Sequence, residues 1–166
     1  MDLKDKVAAM LAERKMLMLG GIAQECGVTE QEAARALPAD MRSFCPAGDF
    51  DKVWEGISQW PSATFIIQHA GNVVEIKGKI PSGTHGHGYF NLAHGAALGG
   101  HIMADGVGEI CFLSMPFMGL ESHSVQFFGK DGGVMFAIYV GREDHKLIPE
   151  ARDGFMELKK RFGKEA

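Results

Sequence analysis

Cysteine is scarce in this chain of 166 residues, and long apolar segments are missing from it. The three cysteines, Cys26, Cys45 and Cys111, are widely spaced and form no CxxC pair. This pattern argues against a disulfide framework or a cysteine-rich zinc site, and it favours a reducing compartment. No apolar run approaches the ~20 residues that a membrane-spanning helix needs, and the N-terminus lacks the apolar core of a signal peptide. The sequence therefore predicts a cytoplasmic protein without a membrane partner.

A strong net charge and the common catalytic motifs are missing as well. The net charge is −4 with histidines neutral, which disfavours nucleic acid or an anionic membrane as a partner. The chain has no serine or cysteine in a nucleophile elbow, and no phosphate-cradling glycine motif before a helix. A content of 46% apolar and 23% charged residues is average for a globular protein of one domain.

The predicted elements come in the order helices, strands, helix. Within residues 1–60 apolar side chains recur at helical spacing, Thr29 and Glu32 predict a capping box, and Pro38 predicts a helix end. From residue 61 the apolar period changes to two. Strands are predicted at 64–69, 73–79, 89–92, 100–104, 109–115, 124–128 and 134–140. A closing helix is predicted from Pro149.

The short links between these strands predict antiparallel pairing. The fold class is therefore α+β, with an N-terminal helical unit, an antiparallel β-sheet meander and a C-terminal helix. We expect the helical segment 1–60 to pack on the sheet region 61–166, so that the two make one structural domain.

What the chain does have is a group of histidines among glycines. His85, His87, His94 and His101 fall within seventeen residues, and His69 lies just upstream. Imidazole is the commonest side-chain metal ligand and also binds haem iron. Glycine lets the backbone approach a ligand closely. This part of the chain is therefore the predicted functional region.

Strand alternation favours two of these histidines as ligands. His69 shares a strand face with Phe65 and Ile67, so its imidazole would overhang an apolar surface. The alternative for His69 is a histidine at the core edge, bonded to a backbone carbonyl. His101 alternates with Met103, and two glycines before it leave room for a bulky flat ligand. Both histidines could ligate one metal centre.

Other residues carry weaker patterns. His85 and His87 would share a strand face, but residues 88–91 offer no carboxylate, so a solvated loop is the simpler interpretation. Tyr89 is a candidate oxygen ligand because phenolate binds ferric haem iron. Lys77 and Arg142 are candidate partners for carboxylates on a ligand.

The helical half allows a competing interpretation. Residues 21–37 resemble a helix-turn-helix with Gly27 at the turn. A recognition helix needs basic and amide side chains at its start, whereas this one opens with Glu30, Gln31 and Glu32. A structural three-helix unit is therefore favoured, and a transcription regulator stays as an alternative.

Several segments together resemble one known family, the bacterial haem-utilisation cytosolic carriers of the HutX/ChuX type. The similar pattern includes Gly-Tyr-Phe-Asn-Leu at 88–92 and Leu-Gly-Gly-His-Ile at 98–102, and it is specific only when its segments are taken together. Further similarity lies at 67–69, 75–78, 81–83, 117–119, 127–128, 135–136 and 138–142. The helical N-terminus and the closing helix also fit, so the likeness covers nearly the whole chain.

This resemblance implies an intracellular carrier that takes up b-type haem through histidine ligation and passes it to a haem-using or haem-degrading partner. It implies a homodimer whose subunit is similar to half of a larger haem-handling protein of the HemS type. It points to His69 and His101 as the iron ligands, with Tyr89 as a further candidate. A haem-degrading enzyme and a plain zinc or nickel protein are the remaining alternatives. On the carrier hypothesis, the pocket lining would be Phe65, Ile67 and Met103, and the propionate contacts Lys77 and Arg142.

Overall fold

A computed structural model describes residues 1–165 and gives five α-helices and eleven strands. The helices are α1 (Leu3–Glu13), α2 (Leu19–Cys26), α3 (Glu30–Ala36), α4 (Phe50–Ile57) and α5 (Pro149–Phe162). The strands are β1 (Arg42–Pro46), β2 (Ala63–His69), β3 (Asn72–Gly78), β4 (Gly83–Gly86), β5 (Tyr89–Leu92), β6 (His101–Ile102), β7 (Val107–Ser114), β8 (His123–Gly129), β9 (Val134–Val140), β10 (Arg142–Glu143) and β11 (Lys146–Leu147). None of these helices is long and apolar enough to cross a membrane.

Six strands form one antiparallel sheet, in the order β1-β7-β8-β9-β2-β3. A second antiparallel sheet contains β4, β5 and β6, and β10 pairs with β11. The predicted fold class is confirmed: helices come first, an antiparallel meander follows, and α5 closes the chain.

One face of the six-stranded sheet, which we call the core face, carries an aromatic core beneath α4, α5 and the three-stranded sheet. On this face Phe127 and Phe136 stack with their ring centroids 4.6 Å apart. Phe90 of β5 packs edge-on against Phe50 and Trp54 of α4, at 5.1 and 5.5 Å between centroids. Phe90 therefore anchors the small sheet to the main core.

The opposite face is only partly covered by helices. There α1, α2 and α3 bury a second apolar cluster against β1, β7 and β8. Arg35 of α3 binds Glu109 of β7 through two hydrogen bonds of 2.7 Å. Burial raises the pKa of the Glu109 carboxyl, but hydrogen bonds from Arg35 and Gln31 outweigh it and hold that pKa below its usual value. This pair ties the helical unit to the sheet.

The remaining part of that face, formed by β9, β2 and β3, we call the open face. On β3 the side chains of Val73, Glu75 and Lys77 alternate onto it and are exposed, with Val73 58% accessible. Ile66 of β2 is half-buried there. An apolar and charged sheet surface is thus left uncovered by the described chain.

Helix ends follow the sequence signals in one place and depart from them in another. The capping box is confirmed, because Thr29 and Glu32 exchange side-chain-to-backbone hydrogen bonds at the start of α3. Helix α2, however, begins at Leu19 and so includes Gly20 and Gly21, although glycine disfavours helix formation. Burial of Leu19 and Ile22 against neighbouring helices outweighs the low helix propensity of glycine.

Two strand expectations were also wrong. Residues 1–60 are not helical throughout, because Arg42–Pro46 forms edge strand β1 on β7. Its partner lies far along the chain, so this pairing depends on tertiary contact and leaves no local signal. The strand expected at 100–104 is reduced to β6, since Gly100 has a φ of 116° and a 3₁₀ turn begins at Ala104.

Candidate functional site

Tyr89, Asn91 and His101 lie together on the outer face of the three-stranded sheet. Asn91 pairs directly with His101 between β5 and β6, and alternation along β5 puts Tyr89 on the same face. Nδ1 of His101 is 2.6 Å from Oδ1 of Asn91, and the rings of His101 and Tyr89 are 5.5 Å apart. Both rings are exposed, so an imidazole and a phenol meet solvent side by side.

The same alternation turns Phe90 inward and so fixes this cluster to the core. Phe90 is 4% exposed and lies over Gly83 of β4. A Cβ at Gly83 would be 2.4 Å from the Phe90 ring, so a side chain at this position would displace that ring. Packing of Phe90 in the core therefore fixes the positions of Tyr89 and Asn91 on the outer face of the same strand.

His69 ends β2 at the tip of the β2–β3 hairpin and is exposed. Ala70 and Gly71 make the turn with φ values of 50° and 81°, as a two-residue hairpin connection requires. Neither ring nitrogen of His69 has a hydrogen-bond partner within residues 1–165. The structure therefore contradicts the alternative in which His69 lies at the core edge and binds a backbone carbonyl.

Of the apolar residues predicted beside His69, one belongs to the core. The register puts His69, Ile67 and Phe65 on one face of β2, as expected. Phe65, however, is 4% exposed and stacks on Phe136 at 5.2 Å, so it offers a ligand almost no surface. Ile67 is 40% exposed and remains available.

Four exposed apolar side chains lie on the segments that carry His69, Tyr89 and His101 or on the strand paired with them, and we call them the apolar rim: Ile67, Val74, Tyr89 and Met103. Val74 pairs with Ile67 across the hairpin. Met103 and Met135 both approach within 3.4 Å of the point that a Cβ on Gly106 would occupy, so Met103 reaches towards β9. Ile102 and Met135 pack on the same core cluster that contains Phe65. The segments carrying His69 and His101 therefore border one apolar cluster.

The two predicted cations lie elsewhere. Lys77 pairs with Thr64 in β2, one position away from Phe65, so it projects from the open face. Arg142 donates hydrogen bonds to the backbone carbonyls of Glu121 and His145. Both cations line a cavity of about 400 Å³ on the open face. The structure therefore does not bring Lys77 or Arg142 together with the two histidines.

The remaining histidines of the glycine-rich run do not form a metal cluster. His85 contacts the Phe90 ring but stays exposed, and its Nε2 lies 2.7 Å from Oδ1 of Asp51 in α4. His87 is in the β4–β5 turn with a φ of 53°. Among residues 1–165 no group of three or more His, Cys, Asp and Glu side chains could hold a metal ion. The plain metal-binding alternative therefore has no support in the described chain.

Two residues of this region escaped the sequence analysis. Val74 was missed because the predicted strands leave three residues, 70–72, as the link, whereas the two-residue turn of the structure sets Ile67 opposite Val74. Asn91 follows from alternation with Tyr89 in β5. Its contact with His101 does not follow, because the β5–β6 register depends on the connection 93–100.

Residues 43–158 match the family described as haem utilisation ChuX/HutX. The chain belongs to this family. Over 151 residues it is 33% identical to the intracellular heme transport protein HutX of Vibrio cholerae, covering 90% of this chain and 78% of that protein. The family resemblance read from the sequence is confirmed.

Solved structures agree with this membership. The structure of the heme binding protein ChuX is similar with a TM-score of 0.86 and 33% identity, covering 96% of this chain and 98% of that chain. Holo-PhuS, a heme-binding protein from Pseudomonas aeruginosa, has a TM-score of 0.78 at 17% identity, covering 97% of this chain and 46% of that chain. The ChuX/HutX fold of this chain thus corresponds to about half of a larger protein, as the resemblance implied.

Proposed function

We propose that this chain is a cytoplasmic carrier that binds haem and passes it to a haem-using or haem-degrading protein. The observation that carries the proposal is the exposed imidazole of His101, whose ring lies 5.5 Å from that of the exposed Tyr89. The names of the relatives support it, since HutX is a heme transport protein and ChuX a heme binding protein. His101 is the proposed axial ligand, with Tyr89 and His69 as the other candidates.

The energetics favour a ligand bond in addition to apolar contact. Burying ~300 Å² of the porphyrin against residues such as Ile67, Val74 and Met103 contributes roughly 7 kcal/mol at ~25 cal/mol per Å². Association itself costs ~4–15 kcal/mol. Contact alone therefore gives weak binding, and a bond from iron to imidazole makes it selective. An open rim also suits a carrier, because a partner can reach the cargo.

Non-covalent, b-type binding is part of the proposal. Covalent attachment of haem uses a C-x-x-C-H motif, and the sequence contains none. The imidazole of His101 and the phenol of Tyr89 are both groups that bind haem iron in proteins. The donor set of the outer face therefore fits haem without any covalent link.

Haemin titration of the purified protein tests this proposal. We expect the Soret band to shift sharply and to saturate at one haem per chain. A spectrum identical to that of free haemin would contradict the carrier hypothesis. The loaded protein should then be given a reductant and oxygen, and we expect no defined degradation product. Stoichiometric formation of such a product would favour the haem-degrading enzyme instead.

We also propose that the chain forms a homodimer through the open face. The exposed Val73 and the half-buried Ile66 provide apolar surface there, and Glu75 and Lys77 carry opposite charges on the same strand. A two-fold axis makes such a surface meet itself, so each Glu75 can approach a Lys77 of the other copy. An uncovered sheet surface with this composition is suited to a second copy of the same chain.

The Val73→Asp variant is expected to be monomeric, because a carboxylate on the open face would be buried without a partner. Val74→Asp is the matched control, since it places the same charge on the same strand but on the other face. Sedimentation velocity should give a dimer for the wild type and for Val74→Asp, and a monomer for Val73→Asp. A monomeric wild type, or dimers in all three samples, would contradict this interface.

A further inference from the structure

The structure assigns Asn91 as a positioning residue that fixes the tautomer of His101 and thereby selects Nε2 as the nitrogen offered to a ligand. This inference rests on the proposed function for its purpose. The hydrogen bond between Asn91 and His101, however, is present in the protein without haem, so the tautomer of His101 can be measured in that form.

The orientation of the Asn91 amide is determined by its surroundings. Its Nδ2 lies 3.0 Å from the carbonyl oxygen of Gly86, and 3.3 and 3.4 Å from those of Thr84 and Tyr89. Carbonyl oxygens only accept hydrogen bonds, so the NH₂ end of the amide must face them. The other end, Oδ1, therefore faces His101, and it can only accept.

The protonation of His101 follows from this orientation. Its Nδ1 lies 2.6 Å from Oδ1 of Asn91, so Nδ1 must carry the hydrogen and donate it. Neutral imidazole has one N–H, which leaves Nε2 with a free lone pair. Within residues 1–165, hydrogen-bond partners of Nε2 are absent. In the other tautomer, two lone pairs would face each other across 2.6 Å.

In a haem carrier, His101 would therefore already have the tautomer that iron binding requires before haem is bound. Histidines that bind metals generally donate their other N–H to an acceptor, which fixes the ring orientation and raises the basicity of the ligating nitrogen. A neutral amide does this less strongly than a carboxylate, because hydrogen bonds to charged groups are stronger. Asn91 therefore suits a ligand that must hold haem and later release it.

The test compares Asn91→Leu with Asn91→Asp. Both variants lose the NH₂ group that binds the three carbonyls, but only the aspartate keeps an acceptor for Nδ1 of His101. The first measurement is ¹⁵N NMR of the imidazoles in the protein without haem. We expect the wild type and Asn91→Asp to protonate Nδ1, and Asn91→Leu to show a mixture of tautomers.

The second measurement is the affinity for haemin of the same three proteins. We expect Asn91→Leu to bind about 10–100-fold more weakly, the usual effect of losing such an outer hydrogen bond. We expect Asn91→Asp to bind more tightly than Asn91→Leu, because it keeps the acceptor for Nδ1 although it loses the contacts with the three carbonyls. Equal weakening in both variants would mean that Asn91 only anchors the β4–β5 turn, and would overturn the inference.

The proposed function has a separate readout in this experiment. Asn91→Leu could keep the wild-type tautomer and affinity while His101→Ala no longer binds haemin. The inference about Asn91 would then be wrong, but the assignment of His101 as the axial ligand would be supported. If His101→Ala binds haemin like the wild type, the proposed ligand is wrong, whereas the NMR comparison still decides the role of Asn91 in fixing the tautomer.

Discussion

Replacing His101 with alanine is expected to weaken haem binding by more than ~100-fold. Loss of an outer hydrogen bond to a metal-binding histidine already costs about 10–100-fold, and loss of the ligand itself removes the whole bond. What remains is apolar contact with the rim, which barely offsets the cost of association. The measurement is a haemin titration followed by absorbance, with the Soret position as a second readout.

His94→Ala is the matched control for this variant, because His94 is an exposed histidine in the same glycine-rich run but outside strands β5 and β6. We expect its titration to match that of the wild type. His69→Ala should weaken binding by less than ~10-fold, since no side chain within residues 1–165 orients its ring at the hairpin tip. A larger effect for His69→Ala than for His101→Ala would show that the axial ligand has been assigned to the wrong strand.

Strand positions were predictable from the sequence because alternation is a local property. The predicted strands at 89–92 and 134–140 match β5 and β9. The predicted hairpin was wrong by one residue, because strands at 64–69 and 73–79 leave three residues as the link, whereas the structure turns on Ala70 and Gly71 alone. This shift of the register places Lys77 beside Thr64, on the face opposite His69.

The rest of the site depends on contacts between distant segments. The pairing of Asn91 with His101 requires the register across residues 93–100, which no spacing rule gives. The presence of β1 depends on β7, more than sixty residues further along the chain. The burial of Phe65 depends on its stack with Phe136. Sequence patterns therefore predicted which residue types matter, but not which of them meet.

Phe90 links the aromatic core to the candidate site, and we expect Phe90→Ala to lower the free energy of unfolding by about 3–5 kcal/mol. The ring is 4% exposed and packs against Phe50 and Trp54, so its removal leaves a cavity in the centre of the core. Globular domains have unfolding free energies of about 5–15 kcal/mol, so the variant should still fold at low temperature. Urea unfolding followed by tryptophan fluorescence measures the loss, since Trp54 lies against the missing ring.

Phe162→Ala is the matched control, because Phe162 is a half-buried phenylalanine at the end of α5, away from β5. It should cost about 1 kcal/mol, as typical substitutions do. The two variants should also differ in haemin binding. Without Phe90, strand β5 loses the contact that holds Tyr89 and Asn91 in place, so the folded protein should bind haemin more weakly. Phe162→Ala should bind like the wild type. Unchanged affinity in folded Phe90→Ala would mean that the outer face of the small sheet is positioned independently of the core beneath it.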